Sequence, residues 1–246
     1  MSGQRARARS GESPVISLVV PTYKERANIE QLVERTGKVL AASGDVYELI
    51  IVDDSSPDGT ADEVRRLQAE RPWLKLVVRV NERDLSTAVL AGWRVAQGDI
   101  LGVMDGDLQH PPEHLLKLLE PMRSGSAQMA IASRYVEQGS VSDWKFRRRI
   151  ISWTATVMAT ILLPGRIRRV KDPMSGFFLL RRSVIEGRTL KPLGYKILLE
   201  VLARGNYEKA AEVPYTFEER THGGSKMGPA QVWRYLKHLL RIRFTS

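Results

Sequence analysis

Ile100-Leu101-Gly102-Val103-Met104-Asp105-Gly106-Asp107-Leu108-Gln109-His110-Pro111-Pro112 passes from apolar to acidic to proline in one short stretch. The apolar part predicts a buried strand over Ile100–Met104. The prolines predict a helix start, because the first turn of a helix has no use for the N–H that Pro lacks. Between them, at the carboxyl end of the strand, stand two carboxylates separated by one Gly. Asp105 and Asp107 can converge on one cation. Hard ions such as Mg²⁺ or Mn²⁺ take oxygen ligands and often keep substrate phosphates as further ligands, so the arrangement points to a nucleotide-diphosphate site. A lone D-x-D is more often a polar turn, and its surroundings decide.

Strands and helices alternate on both sides of this stretch. Val15–Val20 reads as a strand stopped by Pro21, and Asn28–Ala42 has helical spacing at Ile29, Leu32, Val33, Thr36, Val39 and Leu40. Leu49–Val52 is a second strand, followed by a helix that Thr60 can cap. Leu74–Val80 is a third strand and Ser86–Ala96 a helix. Pro111 and Pro112 open a helix through Leu115, Leu118 and Leu119, and Met129–Ala132 is a fifth strand. Near-continuous apolar strands in this rhythm predict an α/β fold, a mostly parallel sheet with helices on both faces. Ligands of such sheets bind beyond the carboxyl ends of the strands. Tyr23 and Glu25, then Asp53 and Asp54, then Asp105, Asp107 and Gln109, then Ser133 and Arg134 all fall there. After Arg134 the rhythm changes. Phe146–Leu163 is helical and apolar, Phe177–Leu180 a strand, Tyr195–Ala203 a short helix, Ala211–Phe217 an edge strand, and Gln231–Phe244 a basic amphipathic helix.

The chain has 246 residues, 43% hydrophobic and 27% charged, which is a globular composition. Residues 1–14 read as a disordered basic tail without a signal peptide, and residues 15–246 as one domain. No Cys is present, which removes disulfide, zinc-thiolate and cysteine-nucleophile chemistry. A net charge of +10 favours anionic partners. No apolar run reaches the ~20 residues of a membrane-spanning helix.

Five motifs in order resemble the dolichol-phosphate mannosyltransferases, family 2 glycosyltransferases of the GT-A fold. They are Pro21-Thr22-Tyr23-Lys24-Glu25, Val52-Asp53-Asp54-Ser55-Ser56-Pro57-Asp58-Gly59-Thr60, Asp105–Pro112, Ser133-Arg134-Tyr135 and Asp172-Pro173-Met174-Ser175-Gly176-Phe177. The resemblance covers roughly Val15 to Arg243. It implies transfer of mannose from GDP-mannose to a dolichyl or polyprenyl phosphate, with inversion. Pro21, Tyr23, Glu25, Val52, Asp53 and Asp54 would line the nucleotide pocket. Asp105, Asp107 and Gln109 would hold Mg²⁺ or Mn²⁺, with Asp105, Asp107 and Arg134 as the catalytic set. Arg134, Arg148 and Ser152 would take the acceptor phosphate, with Arg147 or Arg149 as alternatives in a shifted register. Glu218–Met227 resembles a mobile loop whose Gly223 and Gly224 allow hinging, while Arg220, Ser225 and Lys226 close on the diphosphate. His110 and His222 stay outside the catalytic set. Asp172 either sits near the sugar and metal or holds its own loop. A Gly usually stands in the family where this sequence has Asp84.

The implied acceptor is a lipid, and bases flank the short apolar segment 145–163 and recur in 229–244. Both helices are expected at a membrane surface. The expectation is a peripheral protein on the cytoplasmic face, with a membrane-anchoring subunit as a candidate partner. The membrane-spanning helices that follow in some family members have no counterpart in this sequence. Another family 2 activity, such as transfer from UDP-glucose, is the alternative. A nucleic-acid-binding domain rests on charge alone, and no nucleic-acid partner is expected.

Overall fold

The computed structural model describes residues 15–141, 163, 165, 167–218 and 229–244. The candidate residues Arg147, Arg148, Arg149, Ser152, Arg220, Ser225 and Lys226, the hinge glycines Gly223 and Gly224, the basic tail and nearly all of segment 145–163 lie outside them. The first half builds β1 (Ile16–Thr22), α1 (Arg26–Ala42), β2 (Tyr47–Asp53), α2 (Thr60–Gln68), β3 (Leu74–Val78), α3 (Leu85–Val95), β4 (Ile100–Val103), α4 (Leu115–Arg123) and β5 (Met129–Ser133). Then come β6 (Ser140–Val141), β7 (Phe178–Arg181), α5 (Ile197–Arg204), β8 (Ala210–Pro214), β9 (Thr216–Phe217) and α6 (Pro229–Phe244). The main sheet has seven strands in the order β3-β2-β1-β4-β7-β5-β8, and β7 runs antiparallel to both neighbours.

Three sequence expectations are corrected. Pro21 does not stop β1: the strand continues to Thr22 against Asp53 of β2. Pairing with β4 ends at Val19, so β1 is locally an edge at Pro21, where a missing N–H is tolerated. Thr60 does not cap α2. Gly59, left-handed at φ 84°, is the N-cap, and the Asp58 carboxylate accepts the Thr60 N–H at 3.1 Å. The single edge strand expected over Ala211–Phe217 is two strands. β8 closes the main sheet, while β9 pairs with β6, and the buried Tyr215 stands between them.

Apolar side chains fill both faces of the sheet. One layer gathers Val19, Ile50, Val52 and Leu101 with Trp93 of α3 and Leu198 and Leu202 of α5. The other gathers Leu18, Val20, Leu49 and Ile51 with Ile29 and Leu32 of α1 and Leu118 and Leu119 of α4. α3 comes very close to β1, because a Cβ on Gly92 would sit 2.5 Å from Val19 Cγ1. α6 joins the first layer through Tyr235, Leu239 and Ile242. His238 fixes that docking with its Nε2 3.0 Å from Glu200 Oε2, both residues fully buried. Burial works against the Glu200 charge, but His238, the Lys191 N–H and Arg204 outweigh it and hold the carboxyl below its ordinary range.

Candidate active site

Among the described residues, all five non-glycine positions with positive φ lie in loops leaving the carboxyl ends of strands. They are Lys24 (55°) after β1, Ser55 (48°) after β2, Asn81 (61°) after β3, Leu108 (60°) after β4 and Gln138 (68°) after β5. Each costs about 1–2 kcal/mol of backbone strain. At Leu108 the fully buried side chain offsets this by roughly 2 kcal/mol. The strain therefore gathers on one edge of the sheet, as it does at functional sites.

The turn after β4 is tightly built. The Gln109 N–H donates to Asp107 Oδ1 at 3.2 Å. The Gln109 side-chain amide nitrogen donates to the Glu218 carbonyl at 3.0 Å, and the Glu218 N–H returns a bond to the Gln109 carbonyl. That leaves the amide oxygen as the atom suited to a hard cation. His110 is buried with Nε2 3.3 Å from Asp105 Oδ2. Its ring stacks on Tyr215 and meets Phe217 edge-on. His110 thus brackets Asp105. Burial pushes the Tyr215 phenol well above its ordinary pKa, so it is neutral beside this turn.

Because β7 is antiparallel, its start lies on the same edge as the ends of β4 and β5. That brings Gly176 and Asp172 into the site. A Cβ on Gly176 would stand 2.5 Å from Asp105 Oδ2 and 3.0 Å from Oδ1, so only Gly makes room for that carboxylate. Among the described residues no three His, Cys, Asp or Glu side chains form a preformed metal cage. The donors after β4 are two carboxylates and an amide, all oxygen, and Gly176 makes room for the first of them, Asp105. This set fits a Mg²⁺ or Mn²⁺ ion that completes its shell with water and substrate phosphate. Gly176→Ala is expected to push Asp105 aside and lower apparent Mn²⁺ affinity by about 10–100-fold. A Mn²⁺ titration of the variant checks this, and an unchanged midpoint would separate Gly176 from the metal donors.

Arg134 is nine-tenths buried. Its Nε and one terminal nitrogen each donate to Asp172 at 2.7 Å, and its backbone N–H adds a third bond at 3.0 Å. Burial works against the guanidinium charge, but Asp172 outweighs it and raises the pKa. The Asp172 carboxylate therefore braces Arg134, while its backbone carbonyl accepts the Ser175 N–H at 3.3 Å.

The expected nucleotide residues divide. Tyr23 is half-buried, with the Arg83 guanidinium 4.4 Å from its ring centre. Glu25 is buried and accepts from Asn28 Nδ2 at 2.7 Å. Val52 lies inside β2 with its side chain in the core, so its backbone is the part it can offer a nucleotide. Pro21 is buried in β1 opposite it. The Asp53 carboxylate turns inward to the Ser56 N–H at 2.8 Å and the Thr22 hydroxyl at 3.2 Å. Asp54 makes a bidentate pair with Arg79, both bonds 2.7 Å, and Arg79 also reaches Glu82 and Thr87. Sequence reasoning missed Arg79. The available signal was a cation closing the otherwise apolar run Leu76-Val77-Val78.

The profile described as Glycosyl transferase family 2 matches residues 17–188. The chain belongs to that family. Within it, the family 2 chain is 46% identical over 227 residues to a Pyrococcus furiosus protein named dolichol-phosphate mannosyltransferase. The match takes in 92% of this chain and 63% of that protein, so this chain spans less than two thirds of that relative. A Saccharomyces cerevisiae protein of the same name is 40% identical, with 92% of this chain and 86% of that protein covered. Among solved structures, glucosyl-3-phosphoglycerate synthase from Mycobacterium tuberculosis, held with Mn²⁺, UDP-glucose and phosphoglyceric acid, superposes with a TM-score of 0.68. That match covers 97% of this chain and 80% of the other at 17% identity, so it speaks to the GT-A fold alone.

Proposed function

We propose that this family 2 chain transfers mannose from GDP-mannose to a polyprenyl or dolichyl phosphate with inversion, using Mg²⁺ or Mn²⁺, at the cytoplasmic face of a membrane. The observation that carries the reading is the oxygen-only turn Asp105–Gln109, cradled by Gly176 and bracketed by His110, on the sheet edge where the backbone strain gathers. The two relatives named dolichol-phosphate mannosyltransferase support the donor sugar and the acceptor class.

Asp105, Asp107 and Gln109 would hold the cation. Such an ion stabilises the charge that grows on a departing nucleoside diphosphate. Tyr23 and Glu25 would receive the base. The acceptor is a phosphomonoester with a second pKa near ~6, so it arrives charged and needs no strong general base. Arg134, braced by Asp172, puts fixed positive charge at the end of β5, where such an anion would be drawn. The two carboxylates thus serve the leaving group and take no proton.

The test is transfer of radiolabel from GDP-mannose, UDP-glucose or UDP-N-acetylglucosamine to a short polyprenyl phosphate, with Mg²⁺, Mn²⁺ or a chelator. Label is expected in the lipid phase from GDP-mannose only, and only with the metal. Label from UDP-glucose alone would replace the donor. No transfer from any donor would overturn the reading.

A further inference from the structure

We infer that residues 191–196 form a strap joining the two sides of the site, and that Asp84 and Lys196 are the positioning residues that fasten it. Asp84 ties it to the loop after β3, and Lys196 ties it to the turn that carries Asp172 and Gly176. The inference rests on reading that sheet edge as the active site. Three anchors define the strap. At its start the Lys191 N–H donates to Glu200 Oε1 at 2.7 Å, and Glu200 is itself held by the buried His238. In its middle the Gly194 N–H donates to Asp84 Oδ2 at 2.7 Å, while the Gly194 carbonyl accepts the Ser86 N–H at 3.0 Å. At its end Lys196 Nζ donates to the Met174 carbonyl at 2.7 Å. Gly194 stands at φ 86°, a conformation that Gly adopts without steric cost.

Asp84 is where this sequence departs from its family, and all four of its polar atoms are engaged. Oδ1 accepts the Thr87 N–H at 3.1 Å and caps α3. Its N–H donates to Asp54 Oδ2 at 3.2 Å, and its carbonyl accepts from the Arg79 guanidinium at 2.9 Å. The Asp54–Arg79 pair of the expected nucleotide side is therefore built onto the Asp84 backbone. A helix cap needs only one carboxylate oxygen. The other, Oδ2, goes to Gly194 and faces Arg234 of α6 at 3.9 Å.

The far end of the strap serves the metal and acceptor side. Met174 stands between Asp172, which holds Arg134 by three bonds, and Gly176, which makes room for Asp105. An ammonium on the Met174 carbonyl fixes the backbone on which both depend. The bonds at Gly194 and at Met174 each involve a charged group, a carboxylate at one and an ammonium at the other, and such bonds are roughly twice as strong as neutral ones. A shift of the loop after β3 is thereby carried through Gly194 and Lys196 to the seats of Arg134 and Asp105.

Amide hydrogen exchange of the full chain, read by mass spectrometry, tests this. Asp84→Asn keeps one accepting oxygen, enough for the cap, and gives up the second, so it releases the strap and leaves α3 its start. Lys196→Met keeps the apolar stem and removes the ammonium. Both are expected to speed exchange over residues 172–177 by about tenfold, although Asp84 touches none of them. The double variant should exchange no faster there than the faster single, because both cut one strap. Lys196→Arg, which keeps a cationic donor, should lie nearer wild type. The midpoint of a Mn²⁺ titration should worsen in the same order. Faster exchange confined to 191–196 in Asp84→Asn, or effects that add in the double variant, would overturn the strap. Exchange raised evenly over the whole chain would overturn it too, as the mark of a fold merely destabilised. Neither readout needs a sugar donor or a lipid. The expected exchange pattern without transfer from any donor would therefore overturn the proposed function and leave the strap in place.

Discussion

Asp107→Asn will reduce metal-dependent transfer on the order of 10³-fold while leaving the fold in place. Asp107 is buried at 7% exposure, and its Oδ1 accepts the Gln109 N–H. Asn keeps the shape and the accepting oxygen, so the turn survives. It loses the charge, and with it most of the hold on a divalent ion. Stabilising charge on a leaving diphosphate supplies several kcal/mol, and each ~1.4 kcal/mol is tenfold in rate. Transfer rates across a Mn²⁺ titration, read beside a melting curve, check the expectation. Turnover near that of wild type would remove Asp107 from the metal site.

The second large effect is on stability. Asp172→Ala will leave the Arg134 guanidinium buried without its bidentate partner, and removing one member of such a pair costs about 3–5 kcal/mol. For a chain of this size that is a fall of roughly 6–20 °C in melting temperature. Arg134→Ala should cost a similar amount from the other side. Replacing both by apolar residues of like volume, Arg134→Met with Asp172→Leu, should recover much of the loss. Urea or thermal unfolding measures all three. Arg134→Lys separates a brace from a phosphate ligand. Lys keeps the charge but not the fork, so stability should drop more than the apparent affinity for the acceptor. Unchanged stability with a raised acceptor KM would reverse that order.

The strands of the first half and the acidic turn were legible because each is local. An apolar run bounded by Pro, Asp or Gly states its own type, and Asp105 and Asp107 are separated by one residue. What was not legible depends on partners far along the chain. Nothing in Phe177–Leu180 says that it slips antiparallel between β4 and β5, yet that insertion brings Gly176 to Asp105 and Asp172 to Arg134. Asp54 reads as standing alone until Arg79, from the end of the next strand, is seen to pair with it. The period-two pattern of Ala211–Phe217 is real, but periodicity does not report that Tyr215 passes the chain from one sheet to another. The family match stops at residue 188, before α6, and the two faces of that helix emerge only once its docked side is known.

β7 has a further consequence, for how the molecule comes into being. A ribosome delivers β4 and β5 well before Phe178–Arg181. Until then the flank of β4 that β7 will take is an open, apolar edge, the kind that invites pairing with another chain. The sheet cannot close, and Asp105 cannot be seated against Gly176, while residue 176 is still being synthesised. The nascent chain thus has a vulnerable interval between β5 and β7. A product truncated in that interval would be left with the four strands β3-β2-β1-β4 and a β5 without either of its sheet partners.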